Sequence, residues 1–271
     1  MTKWLRKVLI FLAKSNAHIS TIHAMQVKSI FISDVHLGTK DSQAEKLLNA
    51  IKDIECERLF LVGDIIDGWE LKSAWRWSQS HSDIIQKILR RARKGTQIYY
   101  ILGNHDEFIR PFLPISLGER IEFHDELIFD GVDGKKYLAV HGDLFDSVTM
   151  TKKWLALLGD KGYLFLLRLN KPINKLRKFF GYKRFWSLSR SAKLSVKKAV
   201  SYICDFEFVL SEYAKQKSVA GVICGHIHHA EIKDISGIKY INCGDWVESC
   251  TLIVEKYDGE FEIIEYLDTV L

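Results

Sequence analysis

The sequence contains few of the residues that interrupt or cross-link a chain. Its 271 residues include only three prolines and five cysteines, and no two cysteines form a CxxC pair. An odd number of scattered cysteines argues against a disulfide framework or a zinc ribbon and fits a reducing compartment. Low proline and ordinary glycine usage argue against long disordered segments. We therefore expect one large globular domain, or one domain carrying a sizeable insertion.

The first 25 residues lack an apolar run long enough to span a bilayer, because VLIFLA is soon followed by Lys14. They also lack a clear signal-peptide cleavage site. Their apolar positions fit one face of an amphipathic helix with basic flanks. Residues 1–25 are therefore predicted to form a tail or an interfacial helix before a domain at 26–271. A GxSxG motif is absent as well, so a nucleophilic serine enzyme is not supported.

The charge is distributed unevenly along the chain. Residues 151–200 contain 14 Lys or Arg and a single acid, Asp160, which gives a net charge of +13. The total is +5, so the remaining residues carry −8. A basic segment inside an acidic body indicates an anionic partner for that segment.

Apolar runs alternate with helical patterns along most of the chain. Helices are predicted at 43–54 and 82–95, because their apolar residues recur at helical spacing. Strands are predicted at 29–37, 58–69, 97–108, 135–146, 219–230 and 238–249, followed by a hairpin at 252–267. This order favours an α/β sandwich with a mixed sheet. The basic segment interrupts the alternation, so residues 147–205 are predicted to form an inserted helical cap with basic and apolar faces.

Five of the predicted strands finish in a polar cluster. The clusters are SDVH at 33–36, GDIID at 63–67, GNHD at 103–106, HGD at 141–143 and GHIH at 225–228. In open α/β sheets, ligands collect beyond the carboxyl ends of strands. These five ends can therefore bring Asp, Asn and His side chains together at one edge. The two histidines of the last cluster, His226 and His228, are the pattern that first indicates a metal.

A pair of divalent cations explains this choice of residue types. Two cations roughly 3.5–4 Å apart can hold both oxygens of a phosphoryl displacement and generate hydroxide near neutral pH. Such a pair needs a bridging ligand, and the carboxylate of Asp64 is our choice. Mixtures of imidazole and carboxylate suit manganese, iron or zinc, of which we expect manganese first.

The motifs DVH, GDIIDGW, GNHDE, VHGD and GHIHH resemble, in order and spacing, those of the calcineurin-like metallophosphoesterases. The resemblance covers about residues 30–250. It implies a four-layer α/β/β/α sandwich with a dinuclear metal site. The first metal would be held by Asp34, His36, Asp64 and His228. The second would be held by Asp64, Asn104, His141 and His226.

The resemblance also implies roles for two residues that are not metal ligands. His105 would bond the phosphate or protonate the leaving oxygen, a general-acid role. Asp106, the next residue, would orient His105.

Within this family the chain is most similar to the UDP-2,3-diacylglucosamine diphosphatases of lipid A assembly. GDIIDGW, VHGDLFD and INCGDWVES carry this similarity, although some of those enzymes have Arg where this chain has His105. The implied substrate is UDP-2,3-diacylglucosamine, cleaved to UMP and an acylated sugar 1-phosphate. The implied location is the cytoplasm, at the periphery of the inner membrane. Residues 151–200 would bind the anionic membrane surface, because they combine basic residues with Leu, Phe and Trp.

Two alternatives remain open from the sequence. A nuclease or other phosphodiesterase could use the same two metals, because basic residues with interleaved aromatics also suit single-stranded nucleic acid. We disfavour nucleic acid, because the leucine runs at 155–169 suit acyl chains better than bases. A non-catalytic scaffold of the same fold is disfavoured too, because every expected ligand position is filled. The sequence gives no oligomeric state.

Overall fold

The computed structural model describes residues 25–145 and 203–266. Within these residues the chain forms two β-sheets, with helices against them. The strands are β1 Met25–Ile32, β2 Ile54–Val62, β3 Gln97–Ile101, β4 Ile115–Leu117, β5 Ile121–His124, β6 Glu126–Asp130, β7 Lys136–Val140, β8 Gly221–Cys224, β9 Glu231–Ile235, β10 Ile238–Asn242, β11 Thr251–Glu255 and β12 Phe261–Glu265. The helices are α1 Ala44–Asp53, α2 Gly68–Ser73, α3 Gln79–Arg93 and α4 at 203–216. Short 3-10 helices span Glu107–Phe112 and Asp143–Phe145.

Each sheet has a parallel centre and antiparallel edges. The first sheet has the order β12-β11-β1-β2-β3-β5-β4, and the second has the order β6-β7-β8-β10-β9. In the first, β1, β2, β3 and β5 run parallel. In the second, β7, β8 and β10 run parallel. Parallel strands need long crossover connections, and helices supply these in an α/β fold.

The alternation of side chains along β1 shows how the layers are built. Ile30 and Ile32 lie in an apolar cluster with Leu47 of α1 and Ile84 of α3. Phe31 points to the other face of the sheet, into a cluster shared with the second sheet, where it stacks on Phe60 at 4.5 Å between ring centroids. Residues 29–32 of β1 are therefore buried on both faces, and three of these four residues are apolar.

Helix α4 completes the architecture by covering the outer face of the second sheet. Its residues Phe206, Leu210 and Ala214 are fully buried in a cluster with side chains of β7, β8 and β10. Their spacing of four residues places them on one face of the helix. The order of layers is helix, sheet, sheet, helix, so the predicted α/β/β/α sandwich is confirmed.

The sequence overestimated the length of several strands. Strand β1 ends at Ile32 and β3 ends at Ile101, because the polar clusters after them form loops rather than strand ends. Strands β4, β5, β6 and β9 and helix α2 were not predicted; β9, with the sequence EIKDI, is a charged edge strand without the apolar alternation used to find strands. The predicted final hairpin corresponds to β11 and β12, and its turn contains Gly259 at φ 86°.

Two predicted segments lie outside the described residues. The tail or interfacial helix at 1–25 falls there except for Met25, which begins β1. Most of the cap predicted at 147–205, with its basic stretch at 151–200, also falls there. Both remain predictions. Among the described helices, none combines the length and the hydropathy needed to cross a membrane.

Candidate metal centre

Five loops that follow parallel strands meet at one edge of the sandwich. The loops after β1, β2 and β3 come from the first sheet, and those after β7 and β8 come from the second. The Nδ1 atom of His141, after β7, lies 2.9 Å from the carbonyl oxygen of Val62 at the end of β2. The backbone N–H of His226, after β8, donates to Oδ2 of Asp34 at 2.8 Å. The two sheets therefore share one cluster of polar side chains.

The backbone of these loops is held in an unusual conformation. Left-handed φ angles of 51° to 72° occur at five of the predicted metal ligands, which are Asp34, His36, Asp64, His226 and His228. A positive φ is uncommon for residues other than glycine, and each instance costs on the order of 1–3 kcal/mol. Such strain collects at functional sites, where surrounding structure holds it in place.

Two glycines allow the loops to approach one another closely. A Cβ at Gly103 would lie 2.2 Å from Oδ1 of Asp64, and a Cβ at Gly225 would lie 1.8 Å from Oγ of Ser33. No side chain fits at either distance. The glycines that precede Asn104 and His226 are therefore required by the packing of the site.

The first group of candidate ligands contains Asp34, His36 and His228, which offer one ligand atom each within 4.8 Å of one another. The Oδ1 atom of Asp34 lies 3.1 Å from Nε2 of His228 and 3.8 Å from Nε2 of His36. The other carboxylate oxygen, Oδ2, accepts the Ser33 hydroxyl at 2.5 Å. Asp34 is thus held through one oxygen, while the other faces the two histidines.

The second group contains Asp64, His141 and His226. The Oδ2 atom of Asp64 lies 3.2 Å from Nε2 of His141, and the rings of His141 and His226 make an edge contact at 5.0 Å. The same Oδ2 lies 3.9 Å from Nε2 of His36, in the first group. Asp64 therefore lies between the two groups, where a bridging carboxylate would have to be.

Five buried atoms in and beside this cluster have no well-aligned hydrogen bond. They are Asp34 Oδ1, His36 Nε2, Asn104 Oδ1, His141 Nε2 and His105 Nδ1. Buried polar atoms are almost always paired, so each such atom requires an explanation. The first four belong to predicted ligands and are of the oxygen and imidazole types that bind divalent cations, whereas His105 Nδ1 faces the carboxylate of Asp67. The residues present therefore fit a metal centre.

The carboxylates and histidines of the cluster shift one another's pKa values. Burial alone would raise the pKa of Asp64, but the adjacent His141 and His105 lower it to about 2. Burial would likewise lower the pKa of His141, but Asp64 and Asp34 raise it to about 10. The carboxylates thus favour the charged form of the His141 ring. A bound cation would take the place of that proton, since metal ligands must be deprotonated.

His105 forms a third group of candidate ligand atoms with His36 and Asp64, and its ring contacts a residue that the sequence did not single out. Its Nδ1 atom is 2.9 Å from Oδ2 of Asp67, and its ring packs 4.2 Å from that of Trp69. The same oxygen of Asp67 lies 3.0 Å from Nδ1 of His36. Burial would lower the pKa of His105, but its contact with Asp67 and the charge of Asp64 raise it. The sequence signal that could have identified Asp67 is its place as the second Asp of the GDIIDGW motif.

Asp106 does not orient His105, contrary to the expectation from their adjacency. Its buried carboxylate accepts the backbone N–H groups of Ile65 and Ile66 at 3.1 and 2.9 Å and the hydroxyl of Tyr100 at 2.7 Å. Burial, together with the charge of Asp64, raises the pKa of Asp106 to about 6. Asp106 holds the loop that follows Asp64, and the orienting carboxylate is Asp67.

Comparisons with known proteins give one family match and several distant relatives. The family model for calcineurin-like phosphoesterases matches residues 27–230. A UDP-2,3-diacylglucosamine hydrolase of Aliivibrio fischeri is 23% identical over 241 residues, covering 83% of this chain and 92% of that protein. One of Porphyromonas gingivalis is 24% identical over 127 residues, and the match covers 44% of this chain and about half, 47%, of that protein. Among solved structures, an archaeal phosphodiesterase aligns with a TM-score of 0.44 at 14% identity, over 88% of this chain and 98% of the other.

Proposed function

The chain belongs to the calcineurin-like phosphoesterase family, and from this premise we propose that it hydrolyses UDP-2,3-diacylglucosamine. The products would be UMP and 2,3-diacylglucosamine 1-phosphate, in lipid A biosynthesis. Family membership makes the protein a metal-dependent phosphoesterase. The names of relatives that match most of the chain support the finer choice of substrate.

The observation that carries the chemistry is the set of buried ligand atoms around Asp64 that lack a well-aligned hydrogen bond. We assign one cation to Asp34, His36, Asp64 and His228, and a second to Asp64, Asn104, His141 and His226. Manganese is our first choice, and iron or zinc would suit the same donors. When bound, such a pair supplies Lewis-acid stabilisation of the phosphoryl oxygens and lowers the pKa of water.

His105 is the residue we assign to proton transfer. Asp67 holds its Nδ1, so that Nε2, 3.8 Å from Oδ2 of Asp64, is directed toward the ligand cluster. The raised pKa favours the protonated ring, which can donate to the oxygen of the leaving phosphate. The carboxylate of Asp67 also stabilises the charge of that ring before the transfer.

The predicted cap supplies the lipid part of the proposal. Residues 151–200, with a net charge of +13, would bind anionic headgroups and place the acyl chains of the substrate among apolar side chains. This would keep the protein at the cytoplasmic surface of the inner membrane. Nucleic acid is not part of the proposal, since no contact among the described residues favours it.

The test is release of UMP from UDP-2,3-diacylglucosamine with added manganese, measured beside hydrolysis of an aryl phosphodiester. We expect turnover of the lipid substrate to exceed that of the aryl ester, and the Asp64→Asn variant to lose both activities. Turnover of the aryl ester alone would reject the lipid substrate. Turnover of single-stranded DNA in preference to either would favour a nuclease.

A further inference from the structure

Phe206, near the start of helix α4, lies where two of the histidine loops meet. Its ring centroid is 6.0 Å from that of His226. On the other side, a Cβ placed on Gly142 would lie only 2.6 Å from Cζ of Phe206, so the ring packs directly on the backbone after His141. Phe206 is fully buried. We propose that Phe206 is a positioning residue for the second cation, the one assigned to Asp64, Asn104, His141 and His226.

The Phe206 ring completes a set of contacts that links the loops carrying His141 and His226. His141 and His226 touch each other edge to face at 5.0 Å between ring centroids. Phe206 contacts the ring of His226 and the backbone of Gly142, whose φ of 116° is suited to glycine. The loops come from β7 and β8, and the ring between them fixes their separation. Smaller side chains would leave a cavity into which either loop could shift.

The other buried residues on this face of α4 lie further from the histidine loops. Leu210 and Ala214 are as deeply buried as Phe206 and belong to the same apolar cluster. They lie one and two turns further along α4, roughly 6 and 12 Å away along its axis. Leu210 is therefore a matched residue: its truncation removes core packing from the same helix, further from the histidine loops.

Most ligands of the first cation position come from other loops. Asp34 and His36 follow β1, Asp64 follows β2, and only His228 shares the loop after β8 with His226. Loss of the Phe206 ring should therefore weaken the second cation more than the first. Partners that orient metal ligands are worth roughly 10–100-fold in metal affinity, which sets the size of the expected effect. This inference rests on the metal assignment in the proposed function.

The experiment is titration of the metal-free, full-length protein with Mn²⁺, counting bound ions and recording the electron paramagnetic resonance spectrum. Wild type is expected to bind two ions and to show the spectrum of a coupled pair. Phe206→Ala is expected to bind the second ion about 10–100-fold more weakly and to lose the coupled spectrum. Phe206→Leu, which keeps most of the apolar volume, should restore part of the affinity. Leu210→Ala should keep both ions, although its melting temperature falls.

The outcomes separate this inference from the proposed function. Two ions bound with normal affinity by folded Phe206→Ala would overturn the inference. Equal loss of the second ion in Leu210→Ala would also overturn it, since the effect would then be general to the core. If Phe206→Ala does not fold, the Phe206→Leu variant decides. Weakened metal binding by Phe206→Leu, beside normal binding of both ions by Leu210→Ala, supports the inference. Normal binding of both ions by Phe206→Leu overturns the inference. Wild type that binds fewer than two ions would contradict the metal assignment itself.

Discussion

The carboxylate of Asp67 lies 2.9 Å from Nδ1 of His105, on the side of the ring away from Asp64. The same oxygen faces Nδ1 of His36 at 3.0 Å, and the other oxygen accepts the backbone N–H of Glu70 at the start of α2. Burial would raise the pKa of Asp67, but these contacts hold it well below its usual range. One carboxylate therefore orients a candidate ligand and the candidate general acid together.

The first prediction concerns Asp67→Asn. The amide keeps the shape of the side chain but removes its charge, so the protonated form of His105 loses its stabilising partner. We expect turnover to fall roughly 10–100-fold, as for other residues that orient a metal site. Metal content should be measured in the same preparation, because Asp67 also contacts the candidate ligand His36. Unchanged turnover in a steady-state assay would show that Asp67 does not act through His105.

The second prediction concerns the carboxylate between the two groups. In Asp64→Asn, the oxygen that lies near both His141 and His36 loses its negative charge. We expect loss of bound metal, by elemental analysis, together with nearly all activity. Asp125→Asn, which changes a half-exposed carboxylate that contacts Arg110, is the control and should retain both metal and activity. Normal rates in Asp64→Asn would refute the bridging assignment.

The third prediction separates proton transfer from metal binding. His105→Ala should lower turnover by about 10²–10⁴-fold, the usual contribution of general acid–base catalysis. Metal content should remain near wild type, since the ring is assigned to no cation. Substrates with a better leaving group should be affected less, because they need less protonation. Loss of both metals in this variant would make His105 a ligand and reject the assigned role.

The fourth prediction concerns stability at a position away from the metal centre. Glu255, fully buried on β11, accepts from Arg58 at 2.7 Å, from Ser29 at 2.6 Å and from the backbone N–H of Val132 at 2.7 Å. The last contact joins the first sheet to the turn between β6 and β7.

Removing one partner of a buried ion pair leaves an uncompensated charge, which costs about 3–5 kcal/mol. We expect Glu255→Gln to lower the free energy of unfolding in urea by an amount near the lower end of this range. The double variant Arg58→Met with Glu255→Met should lose less, because no charge remains unpaired. A Glu255→Gln protein as stable as wild type would contradict this account, whereas metal content should be unaffected in either variant.

The layers and the location of the candidate site could be predicted from the sequence, and the reason is physical. Strand segments buried on both faces, such as residues 30–32 of β1, are apolar, and polar residues such as Asp34 or Asp64 then lie in the loops beyond them. The carboxyl ends of parallel strands share an edge, so these residues were expected to meet. His226 and His228 belong to different groups of candidate ligand atoms.

The remaining features depend on contacts between residues that are distant from one another in the sequence. His105 and Asp106 are adjacent, yet Asp106 is turned toward the backbone of Ile65 and His105 toward Asp67, 38 residues earlier. Left-handed φ angles at the ligands cannot be read from residue type, because only a small fraction of Asp and His residues adopt them, although these types do so more often than most. Phe206 reads as one more core residue in an amphipathic helix, and only the fold brings it to His226.

The central claim is that two cations lie between the five loops, and anomalous X-ray scattering from crystals grown with Mn²⁺ tests it most directly. We predict two peaks about 3.5–4 Å apart. One should lie among Asp34, His36 and His228, the other should lie beside His141 and His226, and Asp64 should lie between them. A map with no peak at this edge, or with a single peak away from Asp64, would contradict the account.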